Sequence, residues 1–235
     1  MSLLFALNTP SVAIVGRPER FPVNRIYCVG RNYAAHAREM GANPERESPF
    51  FFSKPANAVA ENGATLPFPS RTDDLHHEVE LVVALAGEAL NAKGSNLSLA
   101  EAKAAVYGYA VGIDFTRRDL QAAAKDKGRP WDTAKGFDDS APMTAITPAG
   151  LAGGVDAAHI SLKVNGELRQ QGQVSDLIWS IPELIAELSI YYRLKPGDLI
   201  FTGTPSGVAA VQPGDVLEGQ VDHLETLRIT MGPRI

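Results

Sequence analysis

The sequence predicts a β-rich α+β fold, and three observations carry that prediction. Apolar residues recur mostly with period two, the spacing of strands with one buried face. Sixteen prolines and 21 glycines divide the 235-residue chain into short pieces. Only a few stretches carry helix-start signals.

The expected elements follow in chain order. Residues 1–24 read as a short N-terminal segment, a strand pair packing on a main domain of residues 25–235. Strands are expected over 25–29, 78–85, 107–114, 159–164, 199–202 and 224–231. A short helix over 33–40 should end at Gly41. Ser98-x-x-Glu101 has the form of a capping box and opens a helix over 99–106. Thr116-x-x-Asp119 has the same form and opens a helix to Lys127, with Gly128 as its stop. Ser180-x-x-Glu183 opens a third, with Pro182 in its first turn. Lys195-Pro196-Gly197-Asp198 and Gln212-Pro213-Gly214-Asp215 read as type II turns, in which glycine accepts the positive φ.

Composition excludes several classes of function. Hydrophobic residues make up 45% and charged residues 21%, which suits a packed globular chain and not a disordered one. With 22 Lys+Arg against 27 Asp+Glu the net charge is −5. An acidic chain without a basic run is not built for nucleic acid. No apolar run approaches the roughly 18 residues of a membrane helix. The first residues lack the basic stretch of a signal peptide. The single cysteine, Cys28, cannot form an internal disulfide or a thiolate-rich metal site, and it reads as a core residue. A cytoplasmic location with no nucleic-acid or membrane partner is the expectation.

The sharpest chemical signal is the run from Asp74 to Val83. On a strand Glu78 and Glu80 share one face, while Val79, Leu81 and Val83 share the other. Two carboxylates side by side in an apolar strand repel each other, and a divalent cation removes the conflict. Oxygen ligands favour a hard ion such as Mg²⁺ or Mn²⁺. A solvated edge strand explains the pattern equally well. Asp114 follows a strand whose Ala110 and Gly112 lie on its own face, where small residues leave room for a ligand. It could be a third ligand, or it could only top the next helix. His76 and His77 lack the spacing of a zinc protease site and read as solvated or supporting groups.

Three further patterns carry chemistry. His36 and Glu39 are three apart on a helix, so the carboxylate can orient the imidazole as a general base, or the two can form a plain surface pair. Lys54 follows three phenylalanines, and Lys135 stands in a loop rich in glycine and aromatics. A cation held in a partly dry loop suits a developing oxyanion, although a single lysine is more often a surface charge. Thr202-Gly203-Thr204-Pro205-Ser206-Gly207 is a hydroxyl-rich turn whose amides and Thr204 could hold a carboxylate, or it is a plain loop.

Six segments stand in order: GRNYAAHAREMG, FFSKP, HHEVELVVAL, GIDFTRRDLQ, PWDTAKGFDDSAP and FTGTPSGV. Together they resemble the fumarylacetoacetate hydrolase family, in its short form, over most of the chain. The resemblance implies a mixed β-roll, usually a homodimer, with Mg²⁺ or Mn²⁺ held by Glu78, Glu80 and Asp114. It implies hydrolysis of a 2,4-dioxo acid of the acylpyruvate type, a step of aromatic degradation such as the gentisate route. In that reaction His36 and Glu39 activate water, Lys135 stabilises the oxyanion, and a lid over 33–41 brings in His36. Arg31, Arg118, Gln121, Thr204 and Lys54 are the implied substrate-binding residues. Decarboxylation of oxaloacetate, or tautomerisation of a 2-oxo diacid, on the same metal site is the alternative.

Overall fold

The computed structural model describes residues 4–39 and 46–235. Its centre is an eight-stranded sheet. In spatial order it runs Phe50–Lys54, Arg25–Gly30, Asp198–Phe201, Val79–Leu85, Val106–Ile113, Ala141–Met143 and Val59–Glu61. The short Thr147–Pro148 strand also pairs with Val106–Ile113. Every residue of Val79–Leu85 is buried, because both faces of the sheet are covered. Val79, Leu81 and Val83 pack on one face with Ile160, Leu162, Leu217 and Ile229 of a five-stranded sheet and with Leu184 and Leu188 of the Ile181–Tyr191 helix. Val82, Ala84 and Ala110 pack on the other with Val12, Ile14 and Phe21. Those three belong to an N-terminal hairpin, Ser11–Ile14 with Arg17–Pro22. Each of the valine, leucine, isoleucine and phenylalanine side chains contributes roughly 1.5–3 kcal/mol by its burial.

Most expected elements stand close to their predicted bounds. The strands are Arg25–Gly30, Val79–Leu85, Val106–Ile113, His159–Val164, Asp198–Phe201 and Leu227–Arg234. The capping box at Ser98 is reciprocal: Glu101 N–H donates to Ser98 Oγ (3.3 Å) and Ser98 N–H to Glu101 Oε2 (2.7 Å). Its helix is Leu99–Ala104, shorter than expected because Val106 joins the sheet. Gly197 and Gly214 both take φ of +95°, and Asp198 N–H and Asp215 N–H close their turns onto Lys195 O and Gln212 O.

The expectation at Thr116 fails. Thr116–Arg117 is a short strand paired with Leu75–His77, and the helix is Arg118–Asp126. The Thr116 hydroxyl turns inward to Glu78 Oε1 (3.2 Å), while the Asp119 carboxylate accepts from Thr72 Oγ1 (2.7 Å) and Asp73 N–H (3.0 Å). Gly128, at φ +58°, does end that helix. The helix expected over 33–40 is Ala34–Glu39; Met40 and Gly41 lie outside the described residues. Lys135 ends a short helix, Asp132–Lys135, and is not in a loop. Among the described residues no helix is long and apolar enough to cross a membrane.

Candidate active site

Sheet register assembles the carboxylates. Val79 pairs with Ile113 and Glu80 with Gly112, and Asp114 N–H donates to Glu78 O (2.8 Å). Glu78, Glu80 and Asp114 therefore project from the paired ends of two neighbouring strands. All three are buried, and one oxygen of each lies within 4.8 Å of the others. The small residues beside them have a different use from the one the sequence suggests. A Cβ on Gly112 would stand 2.6 Å from Phe201 and from Val82, so that space holds core packing and not a ligand.

Cations balance this charge unevenly. Lys135 Nζ donates to Glu78 Oε2 (2.8 Å) and Asp114 Oδ2 (2.6 Å). Arg118 donates to Glu78 Oε1, and also to Gln121 Oε1 (2.6 Å). Lys54 Nζ donates to Phe115 O (3.1 Å) and to Lys135 O, and lies 2.9 Å from Asp114 Oδ1. Burial pushes the Glu78 carboxyl up, but Lys135 and Arg118 outweigh it and hold it well below the usual carboxylate range. Burial lowers Lys135, but Asp114 and Glu78 outweigh it and raise its ammonium above its ordinary value. Among the described residues Glu80 receives only Gly203 N–H (2.7 Å). Burial, and then Asp114 and Glu78, push it well above the usual range.

These residues fit a hard divalent cation. Among the described residues Glu80 has no direct ammonium or guanidinium partner. Asp114 Oδ1 makes no hydrogen bond, because the nearby Lys54 ammonium is poorly angled toward it. Three buried carboxylates with spare lone pairs are the donor set that Mg²⁺ or Mn²⁺ prefers.

The histidine comes from the helix Ala34–Glu39. His36 Nδ1 lies 3.1 Å from Glu39 Oε2, and Gly207 N–H reaches both oxygens of Glu39 (3.1 and 3.2 Å). An ionised carboxylate only accepts, so Nδ1 carries a hydrogen, and in the neutral ring Nε2 then carries the lone pair. His36, Arg31, Glu78, Arg118, Gln121, Lys135 and Thr204 line one small cavity of about 40 Å³. The expected substrate-binding residues thus converge, except Lys54. Its side chain is fully buried behind Asp114 and is not on the cavity wall.

Gln170 is a residue that sequence reasoning missed. Its Oε1 accepts Val79 N–H (3.1 Å), and its Nε2 donates to Pro205 O (2.8 Å) and Thr204 Oγ1 (2.7 Å). A backbone N–H can only donate and a carbonyl can only accept, so the amide has one possible orientation. Thr204 Oγ1 must then accept from Gln170, which leaves the hydroxyl hydrogen free for an acceptor elsewhere. His77 Nδ1 (2.8 Å) must likewise donate to Gln170 Oε1. Burial pulls the His77 pKa down to about 4, so its ring is neutral near pH 7. His76 is paired with Asp74 (2.8 Å). Gln170 lies in the polar strand Glu167–Gln173 at a sheet edge, where nothing local marks it. Gly203 and Gly207 stood within a motif already singled out.

The curled β-rich fold, the carboxylate triad and the histidine beside it define a metal-site enzyme of one family. The chain belongs to the fumarylacetoacetate hydrolase family, matching its fumarylacetoacetate (FAA) hydrolase C-terminal description over residues 25–231. It is 45% identical over 188 residues to a fumarylpyruvate hydrolase of a Ralstonia species, covering 80% of this chain and 94% of that protein. It is 41% identical over 211 residues to the oxaloacetate tautomerase YcgM of Escherichia coli K12, covering 89% and 94%. The crystal structure of fumarylpyruvate hydrolase from Pseudomonas aeruginosa, in complex with Mn²⁺ and pyruvate, superposes with a TM-score of 0.93 at 48% identity. That match covers 99% of this chain and 100% of the other.

Proposed function

We propose that this protein hydrolyses the C–C bond of a 2,4-dioxo acid of the fumarylpyruvate type, giving pyruvate and a carboxylic acid. The observation that carries the reading is His36 on the wall of the same cavity as Glu78 and Lys135, with its Nδ1 held by Glu39. Glu78, Glu80 and Asp114 would hold a divalent cation, which would supply Lewis-acid stabilisation of charge at the 2-oxo acid end. Arg31, Arg118, Gln121 and the free Thr204 hydroxyl hold that end. His36 Nε2 takes a proton from water, and the hydroxide attacks the C4 carbonyl. Lys135 uses two of its three hydrogens on Glu78 and Asp114, which leaves one for the C4 oxyanion. When C3–C4 breaks, its electron pair goes to C3 of the pyruvate fragment, and the proton that His36 took from water passes to C3, which completes pyruvate and restores the imidazole.

The similarity to an oxaloacetate tautomerase supports a second reading, in which the metal site enolises a 2-oxo diacid without C–C hydrolysis. Loss of the enol absorbance of fumarylpyruvate, with and without Mg²⁺ or Mn²⁺, tests both. Metal-dependent loss with one pyruvate formed per turnover supports the hydrolase. No turnover of fumarylpyruvate or acetylpyruvate, with oxaloacetate still converted, overturns it.

A further inference from the structure

Beside the small cavity lies a larger one of about 540 Å³, whose lining includes Phe50, Phe52, Trp131, Lys125, Arg129 and Asp132. The two cavities share Phe52, Lys125, Trp131 and Lys135. A short path of contacts runs between them. Lys135 Nζ lies 4.9 Å from the Phe52 ring centroid, Phe52 lies 5.9 Å from Trp131, and Trp131 lies 5.1 Å from Lys125 Nζ. The inner ammonium, on Lys135, is bonded to two carboxylates. The outer one, on Lys125, has no carboxylate partner among the described residues, and neither has Arg129. Asp132 is the only carboxylate on this wall among the described residues. Burial, and then the charges of Arg118 and Arg31, pull the Lys125 pKa down. An anion beside it would relieve that crowding.

From this geometry we infer that the larger cavity receives the acyl arm of the substrate, with Lys125, seconded by Arg129, binding a carboxylate at its far end. The favoured substrates are then 2,4-dioxo diacids whose flat, unsaturated arm lies along Phe52 and Trp131. A planar arm suits aromatic walls, and an ammonium at the far end suits a terminal carboxylate. The inference rests on the hydrolase reading for which end of the substrate faces Glu78, Glu80 and Asp114.

The test compares Lys125→Met with wild type on two substrates. One is fumarylpyruvate; the other is crotonylpyruvate, which ends in a methyl group in place of the carboxylate. Wild type should favour the diacid by about 10- to 100-fold in kcat/KM, the worth of a charged hydrogen bond. In Lys125→Met that ratio should collapse toward one, mainly through KM, with Arg129→Met giving a smaller loss. A wild type without preference, or a preference that survives in Lys125→Met, overturns the inference. A second readout needs no turnover: calorimetric binding of 2-oxoheptanedioate and 2-oxoheptanoate to the Mn²⁺-loaded protein. The dioate should bind about 10-fold more tightly to wild type and lose that advantage in Lys125→Met. If neither acylpyruvate is cleaved, the hydrolase reading fails. Equal binding of the two acids, or an advantage kept in the variant, then overturns this inference on its own.

Discussion

The two ends of the site are held in different ways. The carboxylate end is built into the sheet. Glu80 lies opposite Gly112, Asp114 N–H bonds to Glu78 O, and two buried ammonium groups clamp Asp114, Lys54 from behind and Lys135 from the cavity side. The histidine end rides on a six-residue helix, tied to the rest through Glu39 and one N–H of Gly207. Charge is placed by strand register, and the imidazole is oriented by the Glu39 carboxylate. The two should therefore break separately.

The largest effect is expected at the sheet end. Asp114→Ala removes a ligand and leaves Lys54 and Lys135 buried with less counter-charge. Stability should fall by about 3–5 kcal/mol in urea denaturation, and calorimetric Mn²⁺ binding should be lost. At the helix end, His36→Ala should lower C–C hydrolysis by about 10²- to 10⁴-fold while Mn²⁺ affinity and Tm stay near wild type.

The sheet end also carries a pH signature. His77 stays neutral when folded, with its pKa lowered to about 4, whereas unfolded it titrates at its ordinary 6.5. Its contribution is fully present above pH 6.5 and is lost as pH falls toward 4. At about 1.4 kcal/mol per unit this amounts to about 3 kcal/mol. In urea denaturation the stability difference between wild type and His77→Gln should narrow by that amount over this window.

Glu39→Gln tests the other end more finely. A neutral amide can turn its NH₂ toward Nδ1 and move the ring hydrogen to Nε2, which removes the base. Hydrolysis should fall by about 10- to 100-fold, with a changed pH profile of kcat. The smallest effect is expected at Gln170. Gln170→Leu frees the Thr204 hydroxyl to turn away and should raise KM by about 2- to 10-fold. The double variant with Thr204→Val should cost less than the sum, because the two residues act as one unit.

Much of this was legible in the sequence, for physical reasons that also explain the rest. Glu78 and Glu80 alternate with valine and leucine, so the strand period alone places them on one face. Ser98, Ser180, Gly197 and Gly214 announce caps and turns through local backbone chemistry. The strand Glu167–Gln173 was invisible because it is an edge with few apolar residues, and Gln170 was lost with it. Thr116 misled because a capping pattern is local, whereas its hydroxyl is claimed by Glu78 across the sheet. Lys54 and Lys135 could be suspected one at a time. That both meet Asp114 depends on long-range register, which no short motif encodes.

On the proposed reading, the carboxylate cluster and His36 act as separable parts of one site. Turnover of fumarylpyruvate and of oxaloacetate, measured side by side in His36→Ala with Mn²⁺ bound, tests it most directly. Hydrolysis should collapse while conversion of oxaloacetate persists. Equal loss of both, or unimpaired hydrolysis, would contradict it.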